Sequence, residues 1–237
     1  MATTDEYDPD DFERPSVTVD VAILTVVEDR IGVLLHRRPK GPFAGSWALP
    51  GGFVQMDESL REAAERVLRD KGGLTELHLE QLATFGDPER DPRTRVISVA
   101  YMALADLEEF RESIPADTDV ATGLVNEVDD GWQVEVDVDV DPVELAFDHD
   151  QIVATAVNRL RGKLDWTPVG FQLLPEIFTL RELQHVHEVV GGRAVNTQSF
   201  RRRMLASGEL EDTGELEQDV NHRPGSLYRF IEQGAQS

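Results

Sequence analysis

Val67, Asp70 and Lys71 stand at i, i+3 and i+4 in a stretch of helical periodicity, so their side chains leave one face of a helix. Carboxylates so spaced could share a divalent cation, and Mg²⁺ asks for near-octahedral oxygen ligands. This chain offers an isopropyl group, one short carboxylate and an ammonium. An ammonium beside the one carboxylate competes with any cation for the same space. A second set of residues lies towards the other end. Residues 193–203 hold four arginines and no acid, in a chain that elsewhere avoids positive charge. Thr197, Gln198, Arg201 and Arg202 fall in the first half of a short helix. Arginine can read guanine and glutamine can read adenine when such a helix enters a major groove. The absence of cysteine excludes a disulfide framework, a thiol-ligated zinc site and a cysteine nucleophile.

The elements that must hold these residues follow from the apolar pattern. Residues 17–27, VTVDVAILTVV, suit a central strand, and Glu28-Asp29-Arg30 turn the chain into IGVLLHRR. A Gly- and Pro-rich loop over residues 39–50 leads to Gly51-Gly52. A helix is expected over residues 57–71, with Leu60, Ala63, Ala64, Val67 and Leu68 on one stripe. Asp57 and Glu58 suit its N-terminal dipole and Gly72-Gly73 stop it. Residues 76–85 and 95–104 read as strands around a turn-rich segment. Residues 106–141 are strongly acidic, and the alternation of Val134, Val136, Val138 and Val140 fits an edge strand. Its aspartates would lie on a solvated face instead of converging on calcium.

From residue 148 the texture turns helical. Residues 151–164 put Ile152, Ala156, Val157 and Leu160 on one face. Thr179 and Glu182 form a capping box for a helix that runs to Val190 and ends at Gly191-Gly192. A helix over residues 197–206 follows, with Phe200, Met204 and Leu205 expected to face inward, and residues 209–230 read as a hairpin. That order is the order of a winged helix-turn-helix.

The chain carries 46 acidic and 23 basic residues of 237, a formal charge of −23. Only Lys40, Lys71 and Lys163 are lysine, a balance that suits a protein kept hydrated in concentrated salt, where self-repulsion is screened. Residues 1–149 hold 34 acids and 13 bases, whereas residues 150–237 hold 12 and 10. Two parts with different jobs are implied. No apolar run is long enough for a membrane span, and the first 14 residues lack the pattern of a signal peptide, so a cytoplasmic location is expected.

Gly52, Glu58, Arg66, Leu68, Gly73 and Leu74, preceded by Trp-Ala-Leu-Pro-Gly-Gly, match in register the box of the Nudix family, which this region resembles. The resemblance implies an α/β/α sandwich around a mixed sheet. In active Nudix hydrolases three glutamates late in the box hold Mg²⁺, and their positions here are Val67, Asp70 and Lys71. The resemblance therefore implies a retained scaffold with no catalytic residue and no resident cofactor. The alternative is one weakly bound Mg²⁺ on Glu58 and Asp70 with slow hydrolysis. Glu58 and Arg66 fit a pairing that holds the loop against the helix. Residues 86–104 resemble ADP-ribose-directed Nudix proteins, which makes Arg37, Arg38, Arg93 and Arg95 candidates for bidentate contacts to a diphosphate. Surface ion pairing is the alternative for any one of them, and Phe53 could face either ligand or core.

Residues 146–149 (AFDH), 173–184 (LLPEIFTLRELQ), 199–205 (SFRRRML) and 223–228 (RPGSLY) are similar to the Nudix-related transcriptional regulators of the NrtR type. These join a Nudix-like sensor, here residues 15–148, to a C-terminal winged helix, here residues 149–237. An acidic tail, residues 1–14, precedes them, and residues 106–141 read as an acidic insertion. The resemblance implies double-stranded operator DNA and an ADP-ribose-like effector as partners, a homodimer, and control of NAD metabolism or sugar use. Thr197, Gln198 and Arg201 or Arg202 would then meet bases, Thr179 and Arg181 phosphate at a helix N-terminus, and Arg223 the DNA from the wing. The alternative is an active hydrolase of ADP-ribose with an accessory winged helix.

Overall fold

The computed structural model describes residues 11–75, 77–114, 119–129, 131–136, 143–218, 221 and 223–231. Its long strand β1 (Ser16–Val27) is apolar on both faces because both are covered. Val19, Val21 and Ile23 enter one core and Ala22, Leu24 and Val26 the other. Around it lie β2 (Arg30–Arg37), the short β3 (Trp47–Ala48) and β4 (Gly51–Phe53), β5 (Leu79–Phe85), β6 (Val96–Leu104), β7 (Val120–Val128) and β8 (Gly131–Val136). The sheet order is β5-β6-β1-β2-β7-β8, with β3 on β2 and β4 on β1. The β1–β6 pair is parallel and the others are antiparallel, giving the expected mixed sheet.

Helix α1 (Leu60–Gly72) covers one face with Ala63, Ala64, Val67 and Leu68. It starts later than the sequence suggests. Ser59 is its N-cap and forms a capping box with Glu62, so Asp57 and Glu58 precede the helix instead of opening it. A short helix α2 (Leu107–Glu112) follows β6. The other face is covered by α3 (His149–Lys163) through Ile152, Val153, Ala156, Val157 and Leu160. Two expectations are corrected here. The acidic stretch 106–141 is no insertion outside the fold, since its residues 120–136 supply β7 and β8 to the sheet; Val138 and Val140 lie outside the described residues. A boundary at 148/149 cuts off α3, whose apolar stripe completes the sheet's own core.

A 3-10 helix over Pro168–Leu173 leads to the C-terminal unit: β9 (Ile177–Thr179), α4 (Leu180–Gly191), α5 (Thr197–Ala206), β10 (Leu210–Leu216) and β11 (Ser226–Phe230). The strands order as β10-β11-β9, the wing of a winged helix with a third strand that the sequence reading missed. Its core is Phe171, Phe178, Leu180, Leu183, Phe200, Met204 and Tyr228. Helix α4 belongs to both parts, since Val186 and Val190 enter the core of the larger sheet. Its His185 Nε2 donates to the Glu28 carbonyl (2.7 Å), and its Val190 carbonyl accepts from Arg161 (3.0 Å). No helix among the described residues is long and apolar enough to cross a membrane.

Candidate functional site

The last turn of α1 is built for packing and for bracing a loop. Val67 is 1% exposed and sits in the core beneath Gly52. Lys71 Nζ donates to the Gly51 carbonyl (2.5 Å), while the Lys71 carbonyl accepts from His36 Nε2 (2.6 Å). Burial holds the Lys71 pKa below its ordinary value. Asp70 pairs with Arg69 at 3.1 Å. Glu58 accepts from Arg66 Nε (2.9 Å) and from the Gln55 N–H (2.8 Å), and the Arg66 guanidinium also reaches the Phe53 carbonyl. The hydrogen bonds from Arg66 hold the Glu58 carboxyl down to about 2. The expected bracing pair is therefore in place, and Glu58 is committed to it.

Mg²⁺ does not fit this donor set. One member of the face is buried hydrocarbon, one is an ammonium, and Asp70 alone is a carboxylate. Glu58 does not join Asp70 in the cleft wall. Among the described residues no three carboxylate or imidazole groups are placed to hold a metal ion.

Between β1, β4, residues 90–93 and the start of α3 lies a cleft of about 790 Å³. Arg37, Arg38, Phe53 and Arg93 line it, and Arg95 does not. Phe53 is 50% exposed and lines the cleft, outside the core. Arg38 lies over the Phe147 ring (4.6 Å) with its Nε donating to the Pro42 carbonyl, and Arg37 lies over Trp47 (5.1 Å). Arg93 is held by Asp91 through two side-chain hydrogen bonds (3.0 and 2.7 Å), so the ion-pair reading applies to it as well.

The floor holds Asp20, Arg90 and His149, with Asp148 behind Arg90; none of them was named as a ligand candidate from the sequence, although Arg90, Asp148 and His149 lie in the family-like segments. Arg90 is bidentate on Asp148 and lies 3.6 Å from Asp20, whose Oδ2 accepts from the Ser98 hydroxyl. His149 Nδ1 accepts the Leu49 N–H (2.9 Å), and burial pushes its pKa down. A neutral ring with Nδ1 as acceptor carries its proton on Nε2, which points at Asp20 Oδ1 from 3.6 Å. One signal was available. A lone carboxylate inside the apolar run VTVDVAIL must find partners when buried.

The C-terminal unit presents a different surface. Asn196 caps α5, and Thr197, Gln198, Ser199, Arg201, Arg202 and Arg203 are exposed along it. Phe200 and Met204 face the core, but Leu205 is 51% exposed and does not. Arg203 lies over the Phe200 ring. Thr197 Oγ1 accepts from Gln184 (3.1 Å), and Arg223 is exposed in the connection between β10 and β11. Thr179 is buried, with its hydroxyl exchanging hydrogen bonds with Glu182, so its side chain is spent on the cap and cannot serve phosphate. Arg181 donates to Glu217 of the wing (3.1 Å).

Residues 16–145 match the NUDIX domain and residues 170–230 match the NrtR DNA-binding winged helix domain. The chain is 35% identical over 227 residues to the ADPR responsive transcriptional repressor NtrR of Acinetobacter baylyi, covering 95% of this chain and 86% of that protein. An ADP-ribose pyrophosphatase of Methanocaldococcus jannaschii is 34% identical over 143 residues, 60% of this chain and 73% of that one. The crystal structure of Shewanella oneidensis NrtR complexed with a 27mer DNA shares the fold with a TM-score of 0.77 and 37% identity, covering 91% of this chain and 93% of that one. Fold and site together define a Nudix scaffold joined to a winged helix. The chain belongs to the Nudix family, in the group that carries the NrtR DNA-binding domain.

Proposed function

We propose that this protein is a transcriptional repressor whose Nudix cleft binds ADP-ribose and whose winged helix holds operator DNA, the two acting in a homodimer on a palindromic site. The observation that carries the reading is the similarity along 95% of the chain to a repressor described as ADPR responsive, joined to a winged helix that keeps its arginine-bearing face outward. The cleft supports it with cations at its rim and an aromatic ring at its mouth. Arg201, Arg202 and Gln198 meet base edges and Arg223 meets backbone. In concentrated salt the counterion-release gain is small, so base contacts and shape fit carry more of the affinity.

A second reading, hydrolysis of ADP-ribose, has its own support in the 34% identity to a pyrophosphatase. The buried Val67 and the Lys71 ammonium weigh against it. Fluorescence anisotropy on a labelled duplex from the protein's own upstream region tests the first reading. Sequence-specific retention that ADP-ribose shifts is the expected result, and retention indifferent to ADP-ribose overturns the sensor. Magnesium-dependent turnover of ADP-ribose above background would establish the second.

A further inference from the structure

The two ends of the cleft differ in chemistry. Its wall and mouth carry Arg37, Arg38, Lys40, Arg93 and Lys71. The floor carries the Asp20 carboxylate, with Arg90 turned to Asp148 behind it and a neutral imidazole, His149, beside it. Phosphate suits the first environment and is repelled by the second. Two polar atoms of the floor keep an open valence among the described residues. Asp20 Oδ1 accepts no hydrogen bond, since Ser98 serves Oδ2 and Arg90 serves Asp148. His149 Nε2–H faces that oxygen across 3.6 Å, beyond a good hydrogen bond.

The surrounding structure fixes this gap. Leu49 holds the imidazole through Nδ1. Oδ1 lies where any side chain at position 51 would stand, 1.9 Å from the place of a Cβ on Gly51. Both residues are buried and both line the cleft.

An acceptor and a donor side by side, on buried residues that line the cleft, match a group that both donates and accepts. A hydroxyl does so, and a vicinal diol does so twice, whereas a phosphate can only accept. We propose that Asp20 and His149 form a hydroxyl-reading pair that receives the base-free ribose of a nucleoside diphosphate sugar and sets the cleft's preference for it over the plain nucleoside diphosphate. The proposal rests on the ADP-ribose reading of the cleft and specifies which end of the ligand is innermost. The diphosphate then lies between Arg37, Arg38 and Lys71, and the base lies at the mouth on Phe53. The expected discrimination is large for so small a group, because a site built to bond a hydroxyl leaves its own polar atoms unpaired when the hydroxyl is missing.

The test is calorimetric titration of the full chain with ADP-ribose and with ADP. The natural protein should prefer ADP-ribose by about tenfold or more. Two variants separate reading from folding. In His149→Asn the side-chain oxygen can take the place of Nδ1 and keep the Leu49 bond, while the Nε2 donor is lost. In His149→Gln the amide can reach the Nε2 position at the expense of the Leu49 bond. The preference should collapse to about twofold in the first and persist in the second, the reverse of what a purely structural histidine would give. Asp20→Asn, with the melting temperature followed beside it, should also erode the preference. A preference retained in a folded His149→Asn or Asp20→Asn variant overturns the pair. Failure of the natural protein to bind either ligand overturns the ADP-ribose reading beneath it.

Discussion

Helices α1 and α5 are both short and side-chain capped, and they spend their charged residues in opposite ways. In α1 the face that could have held a cation has turned inward: Val67 is core, and Lys71 braces the Gly51 carbonyl. In α5 the inward face is reduced to Phe200 and Met204, and the arginines stay outside. Near the cleft three guanidiniums are paired, Arg66 with Glu58, Arg90 with Asp148 and Arg93 with Asp91, while Arg38 and Lys71 are held by carbonyls. Arg201 and Arg202 make no ion pair among the described residues. Charge count alone would have missed this, since the acidic excess lies in the part where Arg66, Arg90 and Arg93 are neutralised in place. The difference leaves one helix packed beneath a cleft and the other with its guanidinium groups in solvent.

Putting the carboxylate back in α1 should have the largest effect. Val67→Glu buries an unpartnered charge among Ala63, Ala64 and Leu68 and should cost about 3 kcal/mol or more, read from the urea midpoint. Adding Lys71→Glu removes the competing ammonium, and Mg²⁺ should then raise the melting temperature of the double variant by mass action. A double variant indifferent to Mg²⁺ would mean that the two positions do not face one cation.

The seat of α5 is tested by pH. His187 of α4 meets the Phe200 ring edge-on at 5.0 Å, and burial, reinforced by Arg203, pushes its pKa down to about 4. Between that value and the ordinary 6.5 the unfolded chain binds the proton and the folded chain does not. Stability from this group is therefore complete above pH 6.5 and falls as the solution is acidified towards pH 4. The loss reaches about 3 kcal/mol. His187→Gln should flatten that part of the acid limb relative to the natural protein in paired urea titrations. Identical limbs would show that the ring is not held neutral.

On the outward face of α5, Arg201→Ala and Arg202→Ala should each weaken operator binding by about 1–3 kcal/mol if they read bases. ADP-ribose titrations should not move, because neither residue lines the cleft. An arginine whose loss weakens all sequences alike, and lowers the salt slope by about 1, is a phosphate contact instead.

The sequence exposes what is local and hides what is assembled. The β1 run, the Thr179–Glu182 capping box and the span of α5 follow from periodicity and capping chemistry, which act within a few residues. The start of α1 was misplaced because Ser59 outcompeted two carboxylates whose dipole preference is weaker than a capping box. The alternation at Val134 and Val136 does mark the edge strand β8, whereas β7 is obscured by the acids along 106–141. Pairing with β2, some 90 residues upstream, is what makes it part of the sheet. Leu205 was placed inside by helical spacing, but two inward residues suffice for so short a helix. The cleft floor was the least legible. Asp20 is conspicuous in its strand, yet Arg90 and His149 reach it only through β6, the parallel neighbour of β1, and the turn into α3.

The smallest effect separates scaffold from surface inside the winged helix itself. Arg181 was expected at phosphate, but its guanidinium is given to Glu217, whose same oxygen accepts the Gly225 N–H at 2.7 Å. This contact ties the start of α4 to the wing and sets where the chain re-enters the hairpin ahead of β11. Arg181 is more than half exposed, so Arg181→Ala should cost stability no more than about 0.5 kcal/mol. Its effect on DNA is the sharper measurement. A phosphate contact contributes about one unit to the slope of log K against log salt, and a residue that only orients the wing contributes none. Arg181→Ala should therefore leave the slope unchanged while Arg223→Ala lowers it. Equal drops in the two variants would place Arg181 on the DNA and show that Glu217 releases it when the duplex arrives.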